Sequence, residues 1–261
     1  MQVHIAICLA AACALAYAQT DLQVSAGLMG FSYKEYSDTG VLLDREDAWL
    51  PGVTGELGHR MGAWRISASG SFFGGTADYD GQTQGGVPAK TNTDEQLWSA
   101  GLRLERRFEI GTASLSPYLG LAYHDWQRDI KSGRTVNGTP AIGILEVYSW
   151  GTAELGALLW FGGGGEGLEG GIDARVFRTV RPEMQVRLPG ATRDTLFELG
   201  EQTGGRLALL GTYPLHARLR LRLEAFYERW SFGRSAVKNG FLEPRSDTQT
   251  AGLLVGLIRS F

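Results

Sequence analysis

Cysteine is nearly missing from this chain of 261 residues: the two that occur, Cys8 and Cys13, both fall within the first 18 positions. Past them there is no thiol to form a disulfide, attack a substrate or ligate a metal. Only His59, His124 and His216 follow, at no metal-ligand spacing, so no metal and no cofactor is expected. Long apolar runs are missing too. After Ala18 none approaches the ~18 residues that a membrane-crossing helix needs. Neither sign of charge is in large excess, and a net charge of −3 predicts no bulk affinity for nucleic acid. No Gly-x-Ser-x-Gly elbow occurs, and the glycines from Gly162 to Gly165 join two extended patterns without a following helix, which argues against a phosphate loop.

What is there begins with a short apolar run, Ile5 to Ala16, followed by Ala16-Tyr17-Ala18, a small-x-small cleavage site. The expected organisation is a signal peptide over residues 1–18 and one domain over residues 19–261. Glycine is abundant at 37 residues against 8 prolines, and the hydrophobic fraction of 43% is ordinary, so the composition is neither collagen-like nor disordered.

From Asp21 onward the chain reads as ten segments in which apolar and polar residues alternate with period two. Leu219, Leu221, Leu223, Ala225 and Tyr227 alternate with Arg218, Arg220, Arg222, Glu224, Phe226 and Glu228; a helix would scatter those arginines around its circumference, so a strand is predicted. The connections alternate as well: short near residues 61–62, 109–112, 162–167 and 213–217, long and polar near 36–46, 79–95, 127–145, 179–202 and 233–246. Aromatic residues collect near segment ends, as with Trp49, Trp64, Phe72, Trp98, Tyr123, Phe161, Tyr213, Tyr227 and Phe261. A single apolar face with tight turns at one end and long loops at the other fits an all-β fold, an antiparallel up-and-down transmembrane barrel of about ten strands.

The last segment carries a resemblance. Leu253, Val255 and Leu257 share a face with the terminal Phe261, and this looks like the closing strand of bacterial outer-membrane β-barrels; Arg259 departs from the apolar residue usual at its place. The resemblance implies residence in the bacterial outer membrane, contact with its lipid and lipopolysaccharide, and a terminal strand read by the barrel assembly machinery, with Leu253, Val255, Leu257 and Phe261 as the assembly signal. It is similar in kind to the small OmpA-type and Opc-type barrels, which implies a non-enzymatic protein of envelope structure or surface interaction.

With the apolar face outward, the ionisable residues of the other face enter the lumen. These are Arg65, Arg103, Arg175, Arg206, Arg218, Arg220 and Arg222 against Glu56, Glu105, Glu154, Glu169, Asp173, Glu224 and Glu228. Balance of that kind predicts an ion-pair network that fills a narrow interior, since a selective pore favours one sign. Arg220 is expected there beside carboxylates such as Glu224, and Leu221 against lipid near mid-membrane. A narrow porin-like conduit is the first alternative. The second is a hydrolase: Asp78 and Asp80 with His124 and Asp125, at the outer ends of two segments, resemble the rim constellation of the omptin proteases, although the adjacent His124 and Asp125 must point to opposite faces. Solvated residues at a loop base explain the same four side chains.

Overall fold

The computed structural model describes residues 18–83, 86–162, 167–187, 194–238 and 240–261. Apart from Ala18, the expected signal peptide lies outside them. Ten long antiparallel strands form the wall: β1 (Ala18–Tyr36), β2 (Leu42–Met61), β3 (Trp64–Gln82), β4 (Pro88–Arg106), β5 (Ala113–Ile130), β6 (Ile144–Phe161), β7 (Glu169–Arg187), β8 (Thr203–His216), β9 (Leu219–Phe232) and β10 (Arg245–Ser260). Each pairs with the next, and β10 returns to β1 in register from Asp21↔Ser260 to Tyr36↔Arg245, so the ten-strand wall closes on itself. Four short strands, Phe108–Ile110, Gly133–Thr135, Pro140–Ala141 and Thr195–Glu198, extend the hairpins.

Alternation decides which way each residue faces. Leu22, Val24, Val53, Leu57, Leu102, Leu119, Leu121, Leu155, Val176, Leu207, Leu253 and Val255 stand exposed on the outside, an apolar belt that only lipid can cover. Two aromatic rings bound it. Trp64, Phe108, Phe161, Tyr213 and Phe261 lie at the tight-turn end; Trp49, Phe72, Trp98, Tyr123 and Tyr227 lie at the other. Turns at the first end are short because glycine supplies a left-handed residue, as Gly62 does at φ 61° between β2 and β3. Leu221 is half-buried and registers with Tyr213 and Leu257, nearer the tight-turn ring than the belt's middle.

The long polar connections are mostly strand. β1 runs to Tyr36 and β2 begins at Leu42; β3 runs to Gln82 and β4 begins at Pro88. Strands of 14 to 20 residues therefore replace the expected ~9–11, because a hairpin that leaves the membrane still satisfies its backbone donors and acceptors best by continuing its ladder. Beyond the second aromatic ring the outward positions turn polar, with Arg45, Asp47, Asp78, Asp80, Lys90 and Asn92 on β2 to β4. The molecule thus has an inner half inside the belt and an outer half projecting past it.

Candidate functional site

In the inner half each ionisable residue expected in the lumen, Arg218 excepted, meets a partner of opposite charge. Arg65 reaches Asp21 at 2.6 Å and Glu56 at 2.7 Å; Arg103 reaches Asp173 at 3.2 Å. Arg175 joins Glu154 at 3.1 Å and Glu228 at 2.9 Å, while Arg206 joins Glu224 at 2.7 Å and Glu228 at 3.1 Å. Arg222 lies 3.3 Å from Glu224. Arg220 pairs with Glu169 rather than Glu224. Glu105 pairs with Arg60 at 3.5 Å, so Arg60 and Asp21 belong to the network although the alternation had not singled them out. Arg218 does not belong: it is exposed in the turn before β9.

Two glycines make room for these side chains. A Cβ at Gly58 would collide with the Arg65 guanidinium, and one at Gly156 would collide with the Tyr118 ring, whose hydroxyl donates to Asp173 at 2.5 Å beneath Arg103. Larger residues at either position would push the pair off the wall.

The network lines the lumen rather than filling it. A cavity of about 790 Å³ remains, reaching from Gln19, Arg60 and Thr112 at the tight-turn end up to His124, Trp150 and Trp230. A ten-stave wall sets opposite sides too far apart for such pairs to meet, so most form between strands one to three apart.

The outer half is closed by a different layer, which no reading of the loops had anticipated. Tyr33 of β1 and Tyr148 of β6 come from staves on opposite sides of the barrel, and their hydroxyls are 3.2 Å apart. Arg128 of β5 lies between them with no exposed surface. It grips Glu46 of β2 through Nη2 at 2.9 Å and Nε at 3.3 Å, Glu146 of β6 at 2.5 Å and Glu35 of β1 at 3.4 Å, with its guanidinium 4.1 Å from the Tyr33 ring centre. Tyr148 donates to Glu243 at 2.8 Å and accepts from Arg128 at 3.2 Å. The Trp126 indole donates to Glu95 at 2.5 Å, Thr93 donates to Glu46 at 2.7 Å, and Phe232 stacks on Tyr148.

Six carboxylates, Glu35, Asp44, Glu46, Glu95, Glu146 and Glu243, thus surround one guanidinium. A dry site cannot hold all six ionised. Burial pushes Glu95 well above the carboxylate range, and the Glu46 charge adds to it; as a proton donor toward Glu46, Glu95 also satisfies its Oε1, which has no partner otherwise. Burial and then Glu35 raise Asp44 and Glu243 in the same way. Glu146 is pushed up to about 7 by burial, with Arg128 acting against it. On Glu46 burial is outweighed by Arg128 and by hydrogen bonds from Glu95, Arg128 and Thr93, which hold it below its ordinary value. Glu46 and Arg128 are the charged pair, and Asp44, Glu95 and Glu243 keep protons.

The four residues of the hydrolase alternative do not converge. Asp78 is exposed on the outer surface against Asn92, and Asp80 pairs there with Lys90 at 2.7 Å. His124 faces the lumen, stacked on Trp150 at 4.9 Å, and Asp125 faces the other way. Among the described residues no group of His, Asp and Glu is placed to hold a metal ion.

Comparison with known proteins agrees with this geometry. A family model described as outer membrane protein beta-barrel domain matches residues 4–155, more than half of the chain. The chain belongs to that family. It is a bacterial outer-membrane barrel. Its fold is similar to the outer membrane protease OmpT of Escherichia coli, with a TM-score of 0.63 at 11% identity over 93% of this chain and 97% of that one. The Pseudomonas aeruginosa outer membrane protein OprG matches at a TM-score of 0.41 and 10% identity over 92% of this chain and 95% of that one. No curated protein matches this outer-membrane barrel in sequence.

Proposed function

We propose that this outer-membrane barrel is a closed, non-enzymatic protein of envelope structure or surface interaction, not a conduit. The observation that carries the reading is the contact between Tyr33 and Tyr148 on opposite staves, which spans the lumen with Arg128 packed between them. A solute entering the inner cavity meets that layer as a wall of buried side chains. What reaches the cell exterior is the set of projecting hairpins, stiffened by continuous ladders and by pairs such as Arg229 with Asp247 and Lys131 with Asp94. Their polar outward faces are the surface offered for interaction, and lipid and lipopolysaccharide are the partners at the belt.

Purified protein in planar lipid bilayers at about pH 6 is expected to give no steady conductance. Stable openings would favour the conduit instead. The terminal strand serves assembly in this reading: Phe261 stands exposed and its backbone N–H donates to Thr20 at 2.9 Å, so it completes the seam of the barrel. Removing Phe261 is expected to lower the amount of folded protein in the outer membrane.

A further inference from the structure

Six buried carboxylates around one cation are more than a static wall requires. Aromatic and aliphatic side chains, such as Phe232, Met184 and Leu50 in the same layer, would close the lumen without any charge to neutralise. Building the wall from acids makes its cohesion depend on protons. We infer that the layer around Arg128 is a proton-operated seal, which holds the lumen shut while its surplus carboxyls are protonated and loosens when those protons leave. The inference rests on the closed-barrel reading.

The groups that face one another come from most of the wall. β1 contributes Tyr33 and Glu35, β2 Asp44 and Glu46, β3 Tyr79, β4 Glu95, β5 Arg128, β6 Glu146 and Tyr148, and the segment before β10 Glu243. Among the described residues β7 and β9 offer uncharged side chains to the layer, Met184 and Phe232. One cation therefore answers to carboxyls on four staves and one connection, and each proton lost adds a negative charge that Arg128 cannot balance. Asp44 shows the limit already: its Oδ2 is 3.9 Å from Arg128 and its buried Oδ1 has no partner. Repulsion between Glu35, Asp44, Glu146 and Glu243 would drive apart the strands whose contact bridges the lumen.

The direction follows from linkage. A carboxyl raised in the folded state keeps its stabilising proton fully only below its unfolded value, and the contribution is lost as pH climbs through the folded one. For Glu146 that window runs from 4.5 to about 7, and Asp44, Glu95 and Glu243, each raised well above its ordinary value, lose their contribution in the same direction. Rising pH opens the seal; falling pH closes it.

The test is potassium chloride conductance of the folded barrel in planar bilayers at about pH 6 and about pH 9. The wild type is expected to be silent at the lower pH and to gain at least about tenfold in open events at the higher, the factor that one group shifted by one unit supplies. The triple variant Asp44→Asn, Glu95→Gln, Glu243→Gln keeps side-chain volume and removes the charges that build up, so it should stay silent at both. If the triple variant does not fold, Glu95→Gln and Glu243→Gln singly should each move the opening midpoint to higher pH. A wild type silent at both values overturns the proton-operated seal and leaves the closed-barrel reading standing, whereas steady conductance at about pH 6 overturns both. A variant that opens like the wild type, or an unmoved midpoint, also overturns the inference by placing the titration elsewhere.

Discussion

The two halves of this barrel use the same side chains to opposite ends. Among the described residues of the inner half seven arginines face eight carboxylates, nearly every one of these charges has a partner, and the pairs lie along the wall around an open cavity. In the outer half one arginine faces six carboxylates, aromatic rings fill the remaining space, and the lumen is bridged. Balanced charge can stay beside an open cavity, because each charge is answered by its neighbour. Unbalanced charge must be dried, protonated and held together by one central cation. This lumen is therefore bridged where charge is unbalanced and not where there is most of it.

Breaking the centre of the outer half should therefore cost most. Arg128→Met leaves Glu46 and Glu146 buried without their cation, and removing one partner of a buried pair costs ~3–5 kcal/mol. Chemical unfolding followed by tryptophan fluorescence should show that loss near neutral pH and a smaller one in acid, where the carboxyls take up protons instead. Next comes the belt: Leu155→Arg, on an exposed outward position of β6, should cost ~2–4 kcal/mol at the membrane and leave the seal intact. Little or no loss in this variant would mean that the faces were assigned the wrong way round.

The inner network should be more forgiving. Arg175→Met removes one partner of Glu154 and of Glu228, but Glu228 keeps Arg206 at 3.1 Å, so about 1–3 kcal/mol is expected in the same unfolding measurement. An effect matching that of Arg128→Met would erase the distinction between the halves. Smallest of all is the outer ladder, where Arg229→Ala breaks an exposed pair with Asp247 and should cost no more than ~1 kcal/mol, a loss that added salt should hide.

Much of the inner half was legible in the sequence, because period-two alternation is strongest where one face meets lipid and the other meets charge. Leu155 and Val255 outside, Glu154 and Arg206 inside, and the closing strand to Phe261 all follow from it. Alternation fades where both faces are polar. Asp44-Arg45-Glu46-Asp47 and Asp94-Glu95-Gln96 have no apolar side to reveal a strand, so they read as loops, and the acidic layer they build stayed hidden. A weaker signal did continue past the belt: Phe31 and Tyr33, Thr91 and Thr93, Trp126 and Arg128, Tyr148 and Trp150 are spaced by two and all face inward. The partner of Arg220 was misplaced for a related reason, since alternation gives the face of a residue but not its height, and Glu169, two strands away on β7, is the carboxylate within its reach.

Cysteine labelling tests the closed outer half most directly, because residues 19–261 contain no thiol of their own. Ser69→Cys places one on the cavity wall below the layer, and Asp78→Cys places one on the exposed outer surface as a control. In intact cells a membrane-impermeant maleimide should label Asp78→Cys and spare Ser69→Cys, while opening the outer membrane to give access from the periplasmic side should expose both. Equal labelling of Ser69→Cys from outside in intact cells would show a continuous lumen and contradict the account.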